Sequence, residues 1–193
     1  MTYLSSGEPI SHHIGFASPD TDKLAAIFTE TIGAKFNIFE YPVTNIRNEE
    51  CIIKVGYGAF AGMIVEIIEP VKGETPQALH LEKYGESVDH IGFWVPDVYE
   101  ATKEFVEKGA KLNWMAGGEN LTASLTAAST EEEVLEAAKK ATNGLTYMGL
   151  PGKPGGVSIE FLGPPIQTGM TSGQGMLAGC EDLIKMKPEP WFE

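Results

Sequence analysis

Basic residues are scarce in this chain. Fourteen Lys and Arg stand against 27 Asp and Glu, a net charge of −13 at pH 7. That balance opposes nucleic acid and anionic membrane surfaces as partners, and it weighs against a polyphosphate ligand unless a local patch gathers the few cations. Cysteine is nearly absent: Cys51 and Cys180 are too few for a disulfide framework and lack metal-ligand spacing, so two buried thiols are expected. No apolar run is long enough to span a bilayer, and Met1-Thr2-Tyr3-Leu4 does not open a basic segment leading into an apolar one. A cytoplasmic location is the expectation. What the chain does have is 193 residues with 42% hydrophobic and 21% charged side chains, enough for one compact unit or two small packed modules.

The sequence uses one phrase twice. His13-Ile14-Gly15-Phe16, followed by Pro19-Asp20, returns as His90-Ile91-Gly92-Phe93, followed by Pro96-Asp97, at an offset of 90 − 13 = 77. Each copy runs through a helix-like stretch to a similar exit, Gly33-Ala34-Lys35-Phe36 and Gly109-Ala110-Lys111-Leu112. Val65-Glu66-Ile67-Ile68-Glu69-Pro70 then resembles Ile159-Glu160-Phe161-Leu162-Gly163-Pro164. Each half therefore carries one His near its start and one Glu near its end. A repeat of this kind governs the fold assignment.

Within each half the order reads β-α-β-β-β. Strands are expected over 12–17, 35–41, 49–57 and 63–69, with a helix opened by Ser18 as cap and Pro19 at the first helical position, and stopped by Gly33. A linker over 71–85 holds a short helical turn near 78–83. The second half repeats the pattern: a strand over 89–95, a helix from Asp97 with Glu100 completing a capping box, and a strand over 111–115. It is longer, since 160 − 90 = 70 exceeds 66 − 13 = 53 by 17. The excess is expected as an insertion over about 116–148, containing a helix capped by Ser129 with Glu132, before last strands over 145–148 and 156–162. The expected organisation is a first module over 1–70, the linker 71–85, a second module over 86–164 and a C-terminal extension over 165–193. That extension should wrap over its own module or a second subunit, with Trp191 and Phe192 docking.

Strand alternation gathers His13, His90, Glu66 and Glu160 onto one face with Gly15, Gly92 and Trp94. The opposite, uniformly apolar face should pack on the helices, and the two glycines beside the histidines should leave room for a ligand. A single His or Glu on a strand is usually a satisfied or solvated residue. Four at repeat-equivalent positions point instead to a metal site. Two imidazoles and two carboxylates are charge-balanced around a divalent cation and suit Co, Mn, Ni, Zn or Fe(II), being too nitrogen-rich for Ca or Mg. His12 falls on the helix side and His80 in the linker, so both are set aside.

On these residues the chain resembles the vicinal oxygen chelate superfamily, which includes glyoxalase I, bleomycin-resistance proteins, extradiol dioxygenases and methylmalonyl-CoA epimerase; the resemblance covers about residues 10–164. It implies an α+β fold in which two βαβββ modules form a cupped mixed sheet around a metal, here with an inserted helix and a C-terminal extension. It also implies His13, Glu66, His90 and Glu160 as ligands. The stretch from Leu81 to Phe93 is most similar to methylmalonyl-CoA epimerase, although Glu66 stands where that enzyme commonly has Gln. The epimerase also uses a third-strand glutamate as acid/base. Alternation favours Glu50 over Glu49 for that role, because Cys51, Ile53 and Val55 form an apolar set with Glu49.

The function so implied is a metal-dependent epimerase or isomerase that moves a proton at a carbon alpha to a chelated carbonyl, with Glu50 and Glu160 as the acid/base pair. The substrate expected is a small carbonyl compound, 2-methylacyl-CoA-like or bulkier, the latter on account of Trp94, Trp114 and Tyr147. A glyoxalase-type lyase and a drug-sequestering protein without catalysis are the alternatives. Dioxygenase chemistry fits less well, since a second carboxylate, the fourth ligand, takes a position oxygen would need. A homodimer is expected from the open sheet edges.

Overall fold

A computed structural model describes residues 12–44, 49–116, 144–152, 156–164 and 175–185, together with 130, 132, 133, 136 and 166. The first half forms β1 (His12–Ala17), α1 (Thr21–Ile32), β2 (Lys35–Thr44), β3 (Glu50–Phe60) and β4 (Met63–Lys72). After α2 (Pro76–Tyr84), the second half forms β5 (Ser87–Trp94), α3 (Val98–Glu107), β6 (Lys111–Ala116), β7 (Leu145–Gly149) and β8 (Ser158–Leu162), and α4 (Glu181–Lys185) follows near the C-terminus. The eight strands make one curled mixed sheet, a half-barrel in the order β2-β3-β4-β1-β5-β8-β7-β6. Each half has the same internal pairing, with β1 parallel to β4 and β5 parallel to β8. The halves join where β1 and β5 pair antiparallel.

The repeated helix starts are capped by repeated aspartates. Asp20 accepts from the Lys23 N–H at 3.0 Å and Asp97 from the Glu100 N–H at 3.0 Å, each satisfying an amide that the first helical turn leaves without a partner. Ser18 does not cap α1 as its position predicted. Its hydroxyl donates to Glu86 Oε2 at 2.6 Å and accepts from the Asp20 N–H, a bridge between the halves that only tertiary contact provides. Gly33 ends α1 at φ 71°, the left-handed conformation that glycine adopts without steric cost. In the inserted region the capping pair is Thr130 with Glu133, one residue later than Ser129 with Glu132. The body of that helix, and Trp191 and Phe192, lie outside the described residues.

The helices cover the convex face. Ala25, Leu24 and Phe28 of α1 pack on Val65, Ile67, Phe16 and Phe36, while Val98, Ala101 and Phe105 of α3 pack on Met148, Phe161 and Phe93. Ile67 and Phe161 are completely buried, each worth about 1.5–3 kcal/mol in apolar transfer.

The concave face is covered too, and by the chain itself. Leu177, Cys180, Leu183 and Ile184 pack on Ile53, Val55, Tyr57, Ala59, Ile64 and Ile68 of β3 and β4. Asn37 on β2 donates to the carbonyls of Met176 at 3.1 Å and Ala178 at 2.9 Å, and the Gly62 N–H at the β3–β4 turn donates to Leu183 O at 2.7 Å. Residues 175–185 thus hydrogen-bond to the first half, in an apolar cluster that also takes in Leu162, Trp94 and Leu145 of the second. Cys51 and Cys180 are both buried, with no disulfide between them.

Candidate metal centre

The cross-strand register explains why the histidine phrase occurs twice. In the β1–β5 ladder His13 stands opposite Gly92 and Gly15 opposite His90. A Cβ on Gly92 would lie 1.9 Å from His13 Cε1, and one on Gly15 would lie 1.8 Å from His90 Cε1. Each glycine therefore makes space for the other module's imidazole. This corrects the expectation that the glycines leave room for a ligand, because the histidine rings already fill it.

The parallel neighbours β4 and β8 add Glu66 and Glu160 to the same spot. His13, Glu66, His90 and Glu160 are all buried, and one ligand atom from each lies within 4.8 Å of the others. The two histidine Nε2 atoms approach to 3.0 Å. Glu66 Oε2 lies 2.9 Å from His90 Nε2 and 3.3 Å from His13 Nε2, and Glu160 Oε2 lies 2.9 Å and 3.6 Å from His13 and His90.

The electrostatics are those of a closed, balanced set. Burial by itself pulls His13 down, but the Glu160 and Glu66 carboxylates outweigh it and hold the imidazole above its ordinary value. His90 behaves alike and sits well above, with burial opposed by Glu160, Asp89 and Glu66. Burial pushes Glu66 up, and hydrogen bonds from His13 and His90 reverse the sign and hold it low.

These residues fit a divalent cation. Ligands bound at ~2.0–2.2 Å stand roughly 3.0–3.6 Å apart around one ion, and the histidine–histidine and histidine–carboxylate separations here run from 2.9 to 3.6 Å. Glu160 Oε2 is a buried carboxylate oxygen with no aligned hydrogen bond among the described residues, although His13 Nε2 is close. A buried acceptor in that state is costly unless a cation satisfies it.

Residues 12–124, more than half of the chain, match the glyoxalase/bleomycin resistance protein/dioxygenase superfamily. The chain belongs to this superfamily. Among solved structures it is similar to methylmalonyl-CoA epimerase from Mycobacterium tuberculosis, with a TM-score of 0.51 and 18% identity over 80% of this chain and 87% of that one. A mutant of 4-hydroxymandelate synthase from Streptomyces coelicolor gives 0.50 at 12% identity, over 82% of this chain and half of that one. Likeness at these identities is likeness of fold. No curated protein matches in sequence.

Three more side chains stand around the cluster: Asp89 and Tyr57, which sequence did not single out, and Tyr147, which it did as a substrate-facing aromatic. Asp89 is the extra residue of a bulge in β5, where Gly15 pairs with His90 but Phe16 with Val88. The bulge breaks the alternation, so adjacent residues 89 and 90 meet: His90 Nδ1 lies 2.9 Å from Asp89 Oδ2. Tyr57 and Tyr147 stand opposite Glu66 and Glu160 in their ladders. Burial first, then the nearby carboxylates, pushes both phenols well above their ordinary value, so they are donors at neutral pH. Tyr57 is hydrogen-bonded to Glu66, and the Tyr147 ring meets His90 edge-on with centroids 5.0 Å apart.

Glu50 is not brought to the centre. Tyr57 pairs with Glu66, so alternation puts Val55, Ile53 and Cys51 on the cluster side of β3 and turns Glu50 and Lys54 toward α1. Lys54 pairs there with Asp22, and Glu50 is 69% exposed with Lys72 Nζ at 3.3 Å. The apolar set misled because the C-terminal segment gives the concave face an apolar cover of its own. His80, set aside as a linker residue, is buried in α2, its Nε2 2.8 Å from Ser87 Oγ.

Proposed function

We propose that the chain is a metal-dependent epimerase or isomerase that moves a proton at a carbon alpha to a carbonyl. The observation that supports this best is the buried His13, Glu66, His90 and Glu160 cluster with its ligand atoms within 4.8 Å. His13, His90 and Glu66 would hold the cation, with Glu160 as the fourth ligand. A divalent ion in that position is a Lewis acid that polarises a carbonyl and makes the neighbouring C–H more acidic.

The chain's own residues would supply the proton transfer. Glu160, whose Oε2 has no aligned hydrogen bond among the described residues, is the carboxylate suited to take and return a proton. The Tyr57 phenol, kept protonated by burial, would hold the Glu66 carboxylate in place from the first module's side. The indole N–H groups of Trp94 and Trp114 are buried without a partner among the described residues. Both suit a substrate rich in acceptor oxygens, such as a carbonyl compound or a 2-methylacyl thioester.

A glyoxalase-type lyase is the second reading, favoured by the exposure of Glu50, which leaves Glu160 to shuttle the proton alone. A homodimer is proposed through the edge strands β2 and β6, where Ile38 and Phe39 of β2 are exposed; sedimentation as monomer alone at micromolar concentration would count against it.

The test is incubation of α-chiral carbonyl compounds with metal-loaded protein in deuterated water. Wild type is expected to label the α carbon and Glu160→Gln to lose labelling. Purified protein that carries no metal, exchanges no carbonyl compound and still binds a ligand in the cup would replace the enzyme with a sequestering protein.

A further inference from the structure

We propose that Asp89 is the positioning residue of the metal centre, fixing the His90 ring so that Nε2 presents its lone pair to the cation. The inference rests on the metal-centre reading above and adds a residue from outside the four-residue cluster.

The carboxylate of Asp89 is 3% exposed and lies in the β5 bulge. His90 Nδ1–H donates to its Oδ2 at 2.9 Å. An imidazole with its proton held on Nδ1 has its lone pair on Nε2, the atom that faces His13, Glu66 and Glu160. Asp89 is itself held. Gln77 Nε2 donates to the same Oδ2 at 3.0 Å and lies 3.4 Å from the Tyr147 hydroxyl, so α2, the carboxylate and β7 form one buried chain of contacts. His80 Nδ1 stands 3.2 Å from Oδ1, off hydrogen-bond alignment, and His80 Nε2 is hydrogen-bonded with Ser87 Oγ. A charge buried this deeply without a role would cost stability. Here it meets a histidine that must keep one tautomer.

The first module has no equivalent. The residue before His13 is His12, and β1 carries no bulge residue at that point, since 12 through 15 pair in unbroken register with 93 through 90. The helix that precedes β5 thus reaches His90 through Asp89, and through Tyr147, whose ring meets the imidazole edge-on.

Two measurements on the full chain test this. Cobalt(II) titration of metal-free protein is expected to show Asp89→Asn binding about 10–100-fold more weakly than wild type, the usual effect of losing a histidine's outer partner. Asp97→Ala, which removes the cap of α3 far from the centre, should bind as wild type does and so controls for general destabilisation. Gln77→Ala, which removes one of the bonds that hold Asp89, should fall between them and serves if Asp89→Asn does not fold. In metal-free protein a low-field, slowly exchanging imidazole N–H should be present in wild type and missing in Asp89→Asn. Cobalt affinity within twofold of wild type in both Asp89→Asn and Gln77→Ala overturns the proposal while the metal centre stands. Wild-type protein that binds no cobalt overturns the metal centre itself, and the proposal with it.

Discussion

The two halves agree at the centre and differ everywhere around it. His13 and His90, Glu66 and Glu160, Gly15 and Gly92, and the capping Asp20 and Asp97 occupy matching places in matching elements. Outside that set, β2 to β4 run for 10, 11 and 10 residues, whereas β6 to β8 run for 6, 5 and 5. The long strands carry residues 175–185 on their concave side. The supports also differ. In the first half the carboxylate is tethered, Glu66 to Tyr57; in the second the histidine is, His90 to Asp89. Ligand positions are fixed by the shared seam, while each half holds its ligands by different means, and Glu160 is left as the least constrained of the four.

The most damaging way to break the comparison is at the seam. Gly15→Ala and Gly92→Ala each force a methyl into an imidazole and are expected to lower unfolding free energy by about 3 kcal/mol or more, equally if the exchange is reciprocal. Denaturant titration measures both, and a neutral result in one would end the symmetry. Leu177→Ala tests the cover that residues 175–185 lay on β3 and β4. It should cost about 2–4 kcal/mol, because Leu177 is 2% exposed within the β3–β4 core cluster.

Smaller shifts sharpen the contrast in supports. A divalent cation at a hundred times its dissociation constant should stabilise wild type by ~2.7 kcal/mol, and the gain should vanish on chelation and in Glu66→Ala. Asp20→Ala and Asp97→Ala should cost about 1 kcal/mol each and stay within a few tenths of one another, since both caps make one 3.0 Å bond. The smallest effect is expected of Glu50→Gln, whose exchange rate on any substrate found should remain within about threefold of wild type. A hundredfold loss would return Glu50 to the acid/base pair.

The repeat, the four cluster residues and most elements could be read in the sequence because each rests on short-range spacing that occurs twice. β1 was legible to the residue, and Gly33 marked its turn through a backbone angle that glycine adopts readily. Asp89 was not legible. Alternation sends residues 89 and 90 to opposite faces, and only a bulge, set by pairing with a strand 70 residues away, overrides it. The tyrosine pairs were hidden by loop length: Tyr57 precedes Glu66 by 66 − 57 = 9 residues and Tyr147 precedes Glu160 by 160 − 147 = 13, so no constant offset exposes them. Glu50 was misassigned because an apolar set marks the helix side only where the other side meets water. Here residues more than a hundred positions away cover it.

The exchange at the seam has a consequence for how such a chain can change over generations. Each imidazole occupies a space that exists because of a glycine in the opposite copy. A recombination event that swapped one repeat for a diverged counterpart would bring a histidine without its vacancy, or a vacancy without its histidine. Strand lengths, loops and tail are separable traits that can be gained or lost one at a time. His13, Gly15, His90 and Gly92 are a single trait written in two places, and they are inherited together or not at all.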